Sequence, residues 1–103
     1  MKFGLKEETI EKVQKVFSQF PQIDEVILYG SRAKGNYKEG SDIDLTLKGT
    51  GLDLFVLNEI SLIIDDLLLP YLFDISIYDN ITNQDLLEHI KRVGIPFYIK
   101  KRQ

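Results

Sequence analysis

The sequence predicts an α/β (α+β) fold in which a small mixed β-sheet is covered by helices. Short runs of strand type are interleaved with longer stretches of helical spacing, which is the pattern of a sheet with helical cover. The chain has 103 residues, 44% of them hydrophobic, which suits one core and not two. No repeat, linker or low-complexity segment interrupts it, so we expect a single domain over residues 1–103.

The individual elements follow from residue periodicity and from the residues that end each run. Helices are predicted where apolar side chains recur every three or four positions, and strands where they alternate or form a short β-branched run. The last helix has a capping-box-like start, with Thr82 followed three residues later by Asp85. In chain order the expected elements are a helix at about 6–20, strands at 25–29 and 42–47, a helix at 52–69, a strand at 73–78, a helix at 82–93 and a short final strand at 96–100.

The composition excludes several classes of protein. The formal charge of −3 argues against sequence-independent binding of duplex nucleic acid, which depends on a basic surface. No apolar run reaches the ~18 uncharged residues of a membrane helix, and no secretory signal is visible, so no membrane partner is expected. The absence of cysteine excludes disulfides and fits a reducing, cytoplasmic location. Lys100, Lys101 and Arg102 are interpreted as a solvated basic tail, with contact to RNA as the alternative.

Three aspartates are the candidate catalytic and metal-binding residues. Asp42 and Asp44 are two positions apart in a predicted strand, so their side chains share a face, with backbones roughly 6.5 Å apart. Carboxylates this close repel each other unless one is protonated or a cation lies between them, and Mg²⁺ or Mn²⁺ suits such oxygen ligands. Asp74, in the next strand, is expected on the same face as a third ligand. The alternative is that all three are ordinary exposed acids.

A glycine turn precedes these aspartates. Gly30 ends a buried strand and Ser31 is expected to open a short helix, so that backbone N–H groups, a hydroxyl and the charge of Arg32 can approach a phosphate. We therefore predict that Gly30, Ser31, Arg32 and Ser41 bind a nucleotide. A simple turn at Gly30, a solvated helix surface for Arg32, and a turn or a support for the aspartate strand at Ser41 are the alternatives.

The motif resembles that of the nucleotidyltransferase superfamily typified by DNA polymerase beta. Gly30-Ser31, a spacer of ten residues and Asp42-Ile43-Asp44 look like its Gly-Ser turn followed by an Asp-hydrophobic-Asp strand. The fuller string GSRAKG…SDIDL is similar to the minimal nucleotidyltransferases (MNT) of bacteria and archaea, the antitoxin partners of HEPN-domain proteins. The resemblance implies a polymerase-beta-like nucleotidyltransferase core.

The same resemblance implies an activity and a role for each site residue. The implied reaction is transfer of a nucleoside monophosphate, AMP from ATP, to an acceptor hydroxyl with two Mg²⁺ (or Mn²⁺) ions. By family analogy Asp42 and Asp44 hold the metals and the triphosphate, and Asp74 helps to activate the attacking hydroxyl. Gly30 and Ser31 bind the phosphates in this analogy.

A second protein is expected to supply the acceptor surface, since fewer than thirty residues follow Asp74. The broadly apolar helix at 52–69 is a candidate docking face in a hetero-oligomer, with core packing as the alternative. In the MNT family this partner is an all-helical HEPN protein, often an RNase toxin. Modification of one of its tyrosines is the implied neutralising reaction.

Two other functions stay open on the sequence. One is a non-catalytic antitoxin that neutralises its partner by contact alone, and the other is nucleotidyl transfer to a small molecule or an RNA end. The intact acids Asp42, Asp44 and Asp74 favour an enzyme. His89 lies inside an amphipathic helix and is interpreted as a surface or half-buried residue with no part in the motif.

Overall fold

The computed structural model describes residues 1–101; Arg102 of the expected basic tail lies outside them. Four α-helices and four strands occupy this range in the predicted order, and a single 3-10 turn, Tyr78–Asn80, follows the third strand. None of these helices is both long enough and apolar enough to cross a membrane. The elements are α1 (Glu7–Ser18), β1 (Ile23–Tyr29), α2 (Ser31–Lys34), β2 (Ile43–Gly49), α3 (Leu54–Asp66), β3 (Phe73–Ile77), α4 (Gln84–Val93) and β4 (Ile95–Ile99).

The four strands form one mixed sheet in the order β3-β2-β1-β4. β1 runs antiparallel to both β2 and β4, whereas β2 and β3 are parallel and are joined by a crossover that contains α3. Parallel neighbours need such a crossover because the chain must return to the same end of the sheet before it can pair again. The predicted mixed sheet with helical cover is thus confirmed.

One face of the sheet carries the hydrophobic core. Alternate residues of the central strands, such as Leu28 in β1 and Leu45 in β2, are fully buried there. α1 and α3 pack on this face through apolar stripes that include Phe17 and Ile60. Burial of these stripes removes apolar surface from water, which is the main favourable contribution to folding.

The opposite face of the sheet is covered in part by α4. Ile90 of α4 is buried, and Gly94 at the end of the helix lies so close to Ile27 of β1 that a Cβ at Gly94 would collide with it. Helix α4 therefore lies against β1. Toward β3 the same face carries the exposed side chain of Asp74.

Two predicted boundaries are wrong in ways that concern the site. β2 begins at Ile43, so Asp42 immediately precedes the strand instead of opening it. The N-cap of α4 is Asn83, whose Oδ1 accepts a hydrogen bond of 3.1 Å from the Leu86 N–H, and the capping box predicted at Thr82 does not form. Asn is at least as good an N-cap as Thr, so the cap falls one residue later.

Helix α3 is shorter than the predicted 52–69 helix and presents two different faces. Asp53 caps its first turn by accepting a hydrogen bond of 2.9 Å from the Val56 N–H, and beyond its last residue Leu68 adopts a left-handed conformation with φ of 55°. The inner face belongs to the core, whereas five large apolar side chains of the helix and of the segment after it are exposed. We call these the α3 outer face: Leu54, Phe55, Leu62, Leu68 and Leu72.

Removing buried atoms from the inner face of α3 should destabilise the protein far more than the same change on the outer face. Ile60 is fully buried and Leu62, two residues later, is 65% exposed. We expect Ile60→Ala to lower the free energy of unfolding by about 3 kcal/mol, and Leu62→Ala by less than about 0.5 kcal/mol. Urea denaturation of the two variants measures the difference, and equal losses would contradict the packing described above.

Candidate active site

Three polar side chains lie in one row across the sheet. In the strand register Tyr29 of β1 is opposite Asp44 of β2, and Asp44 is opposite Asp74 of β3. Residues paired in this way point to the same face with Cβ atoms about 5 Å apart. The row lies on the face that α4 covers in part, and the two aspartates are neighbours there as the sequence predicted.

The aspartates in and beside this row differ in exposure and influence one another. Asp42 and Asp74 are exposed, whereas Asp44 between them is half-buried. The pKa of Asp44 is raised above its usual value, first by burial and then by the negative charges of Asp74 and Asp42. Of the three carboxylates, Asp44 is therefore the one whose ionised form most requires a nearby positive charge.

The carboxylate oxygens of Asp42, Asp44 and Asp74 are suitable ligands for a hard divalent cation. Mg²⁺ and Mn²⁺ take carboxylate oxygens and are commonly bound through one or two carboxylates, with waters and substrate phosphates completing the shell. Within residues 1–101, however, no three acidic or histidine side chains converge as a ready-made metal site. The aspartates therefore suit an ion that arrives with a phosphate ligand better than one held by the protein alone.

Gly30 makes the close approach of the turn to Asp44 possible. Its φ of 75° lies in the region that favours glycine, and a Cβ at this position would overlap Oδ2 of Asp44. α2, which begins at the next residue as predicted, is a single turn whose first amides have no intrahelical acceptor. The glycine is thus more than a strand end, because it lets the turn lie directly against the half-buried carboxylate.

His89 also belongs to this site, and the sequence interpretation missed its contact. It is half-buried, and its Nε2 accepts a hydrogen bond of 3.0 Å from the Gly30 N–H, across a separation of 59 residues. The imidazole lies edge-on to the Tyr29 ring with 6.2 Å between centroids. Helical spacing from Leu86 and Val93 places position 89 on the sheet-facing side of α4, but no local signal in the sequence identifies Gly30 as its partner.

Arg32 lies in the interior and not on a solvated helix surface. It is 3% exposed, with its guanidinium 5.3 Å from the ring centroids of both Tyr37 and Tyr71. Its Nε and one terminal nitrogen donate to the Ser41 carbonyl at 3.1 and 2.8 Å, and the other terminal nitrogen donates to the Phe3 carbonyl at 2.8 Å. Arg32 therefore ties α2 to the residue that directly precedes Asp42. Its predicted contact with a nucleotide remains a prediction, and these protein carbonyls already occupy much of its donor capacity.

Ser41 supports the loop that leads to the aspartates. Its carbonyl accepts from Arg32, and its Oγ accepts a hydrogen bond of 2.9 Å from the Lys38 N–H. These contacts match the alternative in which Ser41 positions the aspartate strand. Direct contact of Ser41 with a nucleotide remains a prediction.

Tyr29 is a further polar residue of the row that the sequence interpretation treated only as part of a strand. It is buried, and its pKa is raised chiefly by burial, with smaller contributions from the charges of Asp74 and Asp44 and a partial offset from a hydrogen bond to Ser76. The hydroxyl is therefore protonated at neutral pH and can donate a hydrogen bond beside the acids. Its alternation with the buried Leu28 is the sequence signal that places it on the polar face.

Removing the charge of Asp44 should stabilise the metal-free protein at neutral pH. Because the pKa of Asp44 is raised on folding, its ionisation destabilises the folded state as the pH rises through that value. We expect Asp44→Asn to have a higher Tm than the wild type at a pH of about 7 in the presence of a chelator, with the gain disappearing at a pH below the usual aspartate range. Thermal melts at the two pH values measure this.

The control for that comparison is Asp24→Asn, which makes the same change of charge at an exposed position at the end of β1 far from Gly30. If Tm rises by the same amount in both variants, the effect comes from the net charge of the protein and not from the position of Asp44 beside Asp42 and Asp74.

Known structures with the same fold include several toxin–antitoxin complexes. A toxin–antitoxin complex with AMP-PNP matches with a TM-score of 0.69 and 20% identity over 94% of this chain and 76% of that one. A tri-AMPylated Shewanella oneidensis HEPN toxin in complex with MNT antitoxin matches with a TM-score of 0.68 and 16% identity over 93% and 74%. The MntA–HepT toxin–antitoxin complex matches with a TM-score of 0.67 and 16% identity over 92% and 74%. At these identities the likeness establishes a shared fold.

Sequence comparison gives the family. No curated protein matches the chain closely enough to serve as a relative. A family model described as polymerase beta, nucleotidyltransferase, matches residues 11–103 and so includes the Gly30 turn and the three aspartates. The chain therefore belongs to the polymerase beta nucleotidyltransferase family.

Proposed function

We propose that this chain transfers AMP from ATP to a hydroxyl of a HEPN-domain partner protein and thereby acts as its antitoxin. The observation that carries the proposal is the pairing of Asp44 with Asp74 beside the Gly30 turn, on the face that α4 leaves open toward β3. Membership of a nucleotidyltransferase family supports the reaction class. The fold shared with complexes of HEPN toxin and MNT antitoxin supports the kind of partner.

Mg²⁺ or Mn²⁺ is the cofactor that the aspartates would hold together with the triphosphate, two ions by family analogy, and it would neutralise charge on the triphosphate. The acceptor oxygen attacks the α-phosphorus of ATP, the bond from that phosphorus to the bridging oxygen breaks, and pyrophosphate leaves. Asp74, which is exposed at the edge of the row, would take the proton of the acceptor hydroxyl. Asp42 and Asp44 face the phosphates in this arrangement.

The turn and its supports orient the nucleotide. Gly30 and Ser31 offer close backbone approach and a hydroxyl to the phosphates, at the open end of α2. Arg32 and Ser41 act on the nucleotide through the loop they hold, since their hydrogen bonds fix the segment before Asp42. The protein groups thus contribute mainly by positioning.

The α3 outer face is the surface on which we place the partner. Its five exposed leucine and phenylalanine side chains lie on one helix and the segment after it, and extended exposed apolar surface marks interaction sites in soluble proteins. An all-helical partner presents apolar stripes that fit such a face. We place the complex in the cytoplasm, in keeping with a sequence without cysteine.

The transfer is tested by incubating the protein with ATP, Mg²⁺ and the product of the neighbouring gene, which the proposal expects to be a HEPN protein, and by measuring the intact mass of that product. We expect the mass to rise by one or more AMP units with the wild type, and to stay unchanged with Asp44→Asn, because the site then lacks its central carboxylate. Asp24→Asn, an exposed change at the end of β1 far from Gly30 and outside α3, should transfer AMP like the wild type.

The same variant separates catalysis from neutralisation by contact. If Asp44→Asn still abolishes the toxicity of the partner in cells while adding no mass to it, the protein is an antitoxin that acts by binding alone. If the wild type adds AMP to an RNA end or a small molecule and not to the protein, the acceptor class proposed here is wrong.

Partner binding should depend on the α3 outer face. Leu62→Asp places a charge at its centre and is expected to weaken the complex at least tenfold, since the charge must be desolvated on docking. Ile99→Asp is the matched control, because Ile99 is 61% exposed on the edge strand β4. Calorimetric titration of both variants with the partner measures the two affinities; equal weakening, or none with Leu62→Asp, would remove this face as the docking surface.

A further inference from the structure

We propose that His89 is a positioning residue that holds the Gly30 turn in the shape required to bind the triphosphate. The inference rests on the nucleotidyl transfer proposed above and assigns to helix α4 a part in nucleotide binding. His89 lies outside the sequence motif that consists of the Gly-Ser turn and the Asp-hydrophobic-Asp strand. Its contact with the motif is made entirely through the tertiary structure.

The Gly30 turn is held on two sides. On one side the carboxylate of Asp44 lies so close that only a residue without a Cβ fits. On the other side the Gly30 N–H donates to Nε2 of His89 at 3.0 Å. With its N–H engaged and its Cα against Asp44, Gly30 has little freedom to move, and neither has the start of α2, which follows it directly.

The histidine is itself fixed by its surroundings. Nε2 accepts a hydrogen bond only in the neutral imidazole whose Nδ1 carries the proton, so the contact selects one tautomer. The ring packs edge-on against the buried Tyr29, at an interplanar angle of 80°. The neighbouring Ile90 is buried and its carbonyl accepts from the Gly94 N–H at 2.8 Å, which anchors the last turn of α4. The imidazole therefore acts as a rigid acceptor.

A rigid acceptor at this point affects ligand binding more than folding. The Gly30 hydrogen bond lies outside the hydrophobic core, so its loss removes little of the burial that stabilises the protein. The turn, in contrast, must present Ser31 and the following amides to the phosphates at fixed distances. A turn that loses its anchor has to be ordered by the nucleotide when it binds, and that ordering cost lowers affinity.

Two substitutions separate the acceptor from the ring. His89→Phe keeps an aromatic ring against Tyr29 but has no acceptor, whereas His89→Gln keeps an acceptor at similar reach and loses the ring. Glu88→Gln, at the exposed neighbouring position of α4, is the matched control. The readouts are the Tm, the exchange rate of the Gly30 amide by NMR, and the Kd for ATP with Mg²⁺ by calorimetry.

We expect His89→Phe to keep a Tm close to that of the wild type, to exchange the Gly30 amide faster, and to bind ATP about 3- to 10-fold more weakly. His89→Gln should recover most of the ATP affinity, and Glu88→Gln should match the wild type throughout. The proposal is overturned if His89→Phe binds ATP like the wild type, or if His89→Gln loses as much affinity as His89→Phe.

These outcomes are distinct from failure of the proposed function. A wild type that binds ATP in a manner dependent on His89 but adds no AMP to its partner would refute the transfer reaction and leave the role of His89 intact. A wild type that modifies its partner, with a His89→Phe variant of unchanged ATP affinity, would refute the role of His89 alone. A wild type that does not bind ATP would refute both.

Discussion

The close approach of Gly30 to the carboxylate of Asp44 is the contact on which the rest of the candidate site depends. It requires a residue without a Cβ at the end of β1, in a conformation that other residues adopt only with strain. It also requires β1 and β2 to pair in the register that sets Tyr29 opposite Asp44. The hydrophobic face of the sheet fixes that register, because a slip by one residue would turn Leu28 or Leu45 out of the core and onto the polar face.

The electrostatics of the site follow from this packing. Asp44 is flanked by two exposed acids and lies partly out of water, so burial and like charge both disfavour its ionised form and raise its pKa. Burial, and to a smaller extent the charges of Asp74 and Asp44, also raise the pKa of Tyr29. Without a cation the negative charges of this site are poorly compensated, which supports the proposal that a metal ion and phosphate bind there.

Two side chains from outside the aspartate strands hold the turn and the loop in place. Arg32 joins α2 to the Ser41 carbonyl while two tyrosine rings enclose its guanidinium, and His89 reaches from α4 to the Gly30 N–H. The sequence did not predict these supporting contacts, and the nucleotide contact that it predicts for Arg32 stays a prediction. From the sequence alone, an arginine beside a phosphate-binding motif is expected to contact the ligand. Its actual hydrogen-bond partners depend on which carbonyl groups the fold brings within reach.

The sequence by itself determined the order of helices and strands, the polar faces of β2 and β3 and the identity of the acidic motif, because these depend on periodicities of 2 and 3.6 residues within short segments. The pairing of Asp44 with Asp74 was only an expectation from the sequence. The exposed side of α3 and the contact of His89 with Gly30 were not determined by the sequence. Those features arise between residues 30 to 59 positions apart in the chain, or from which side of a helix finds a neighbour. Only the packing of the folded chain decides such contacts, since residues distant in sequence meet only when the sheet and its helices are assembled.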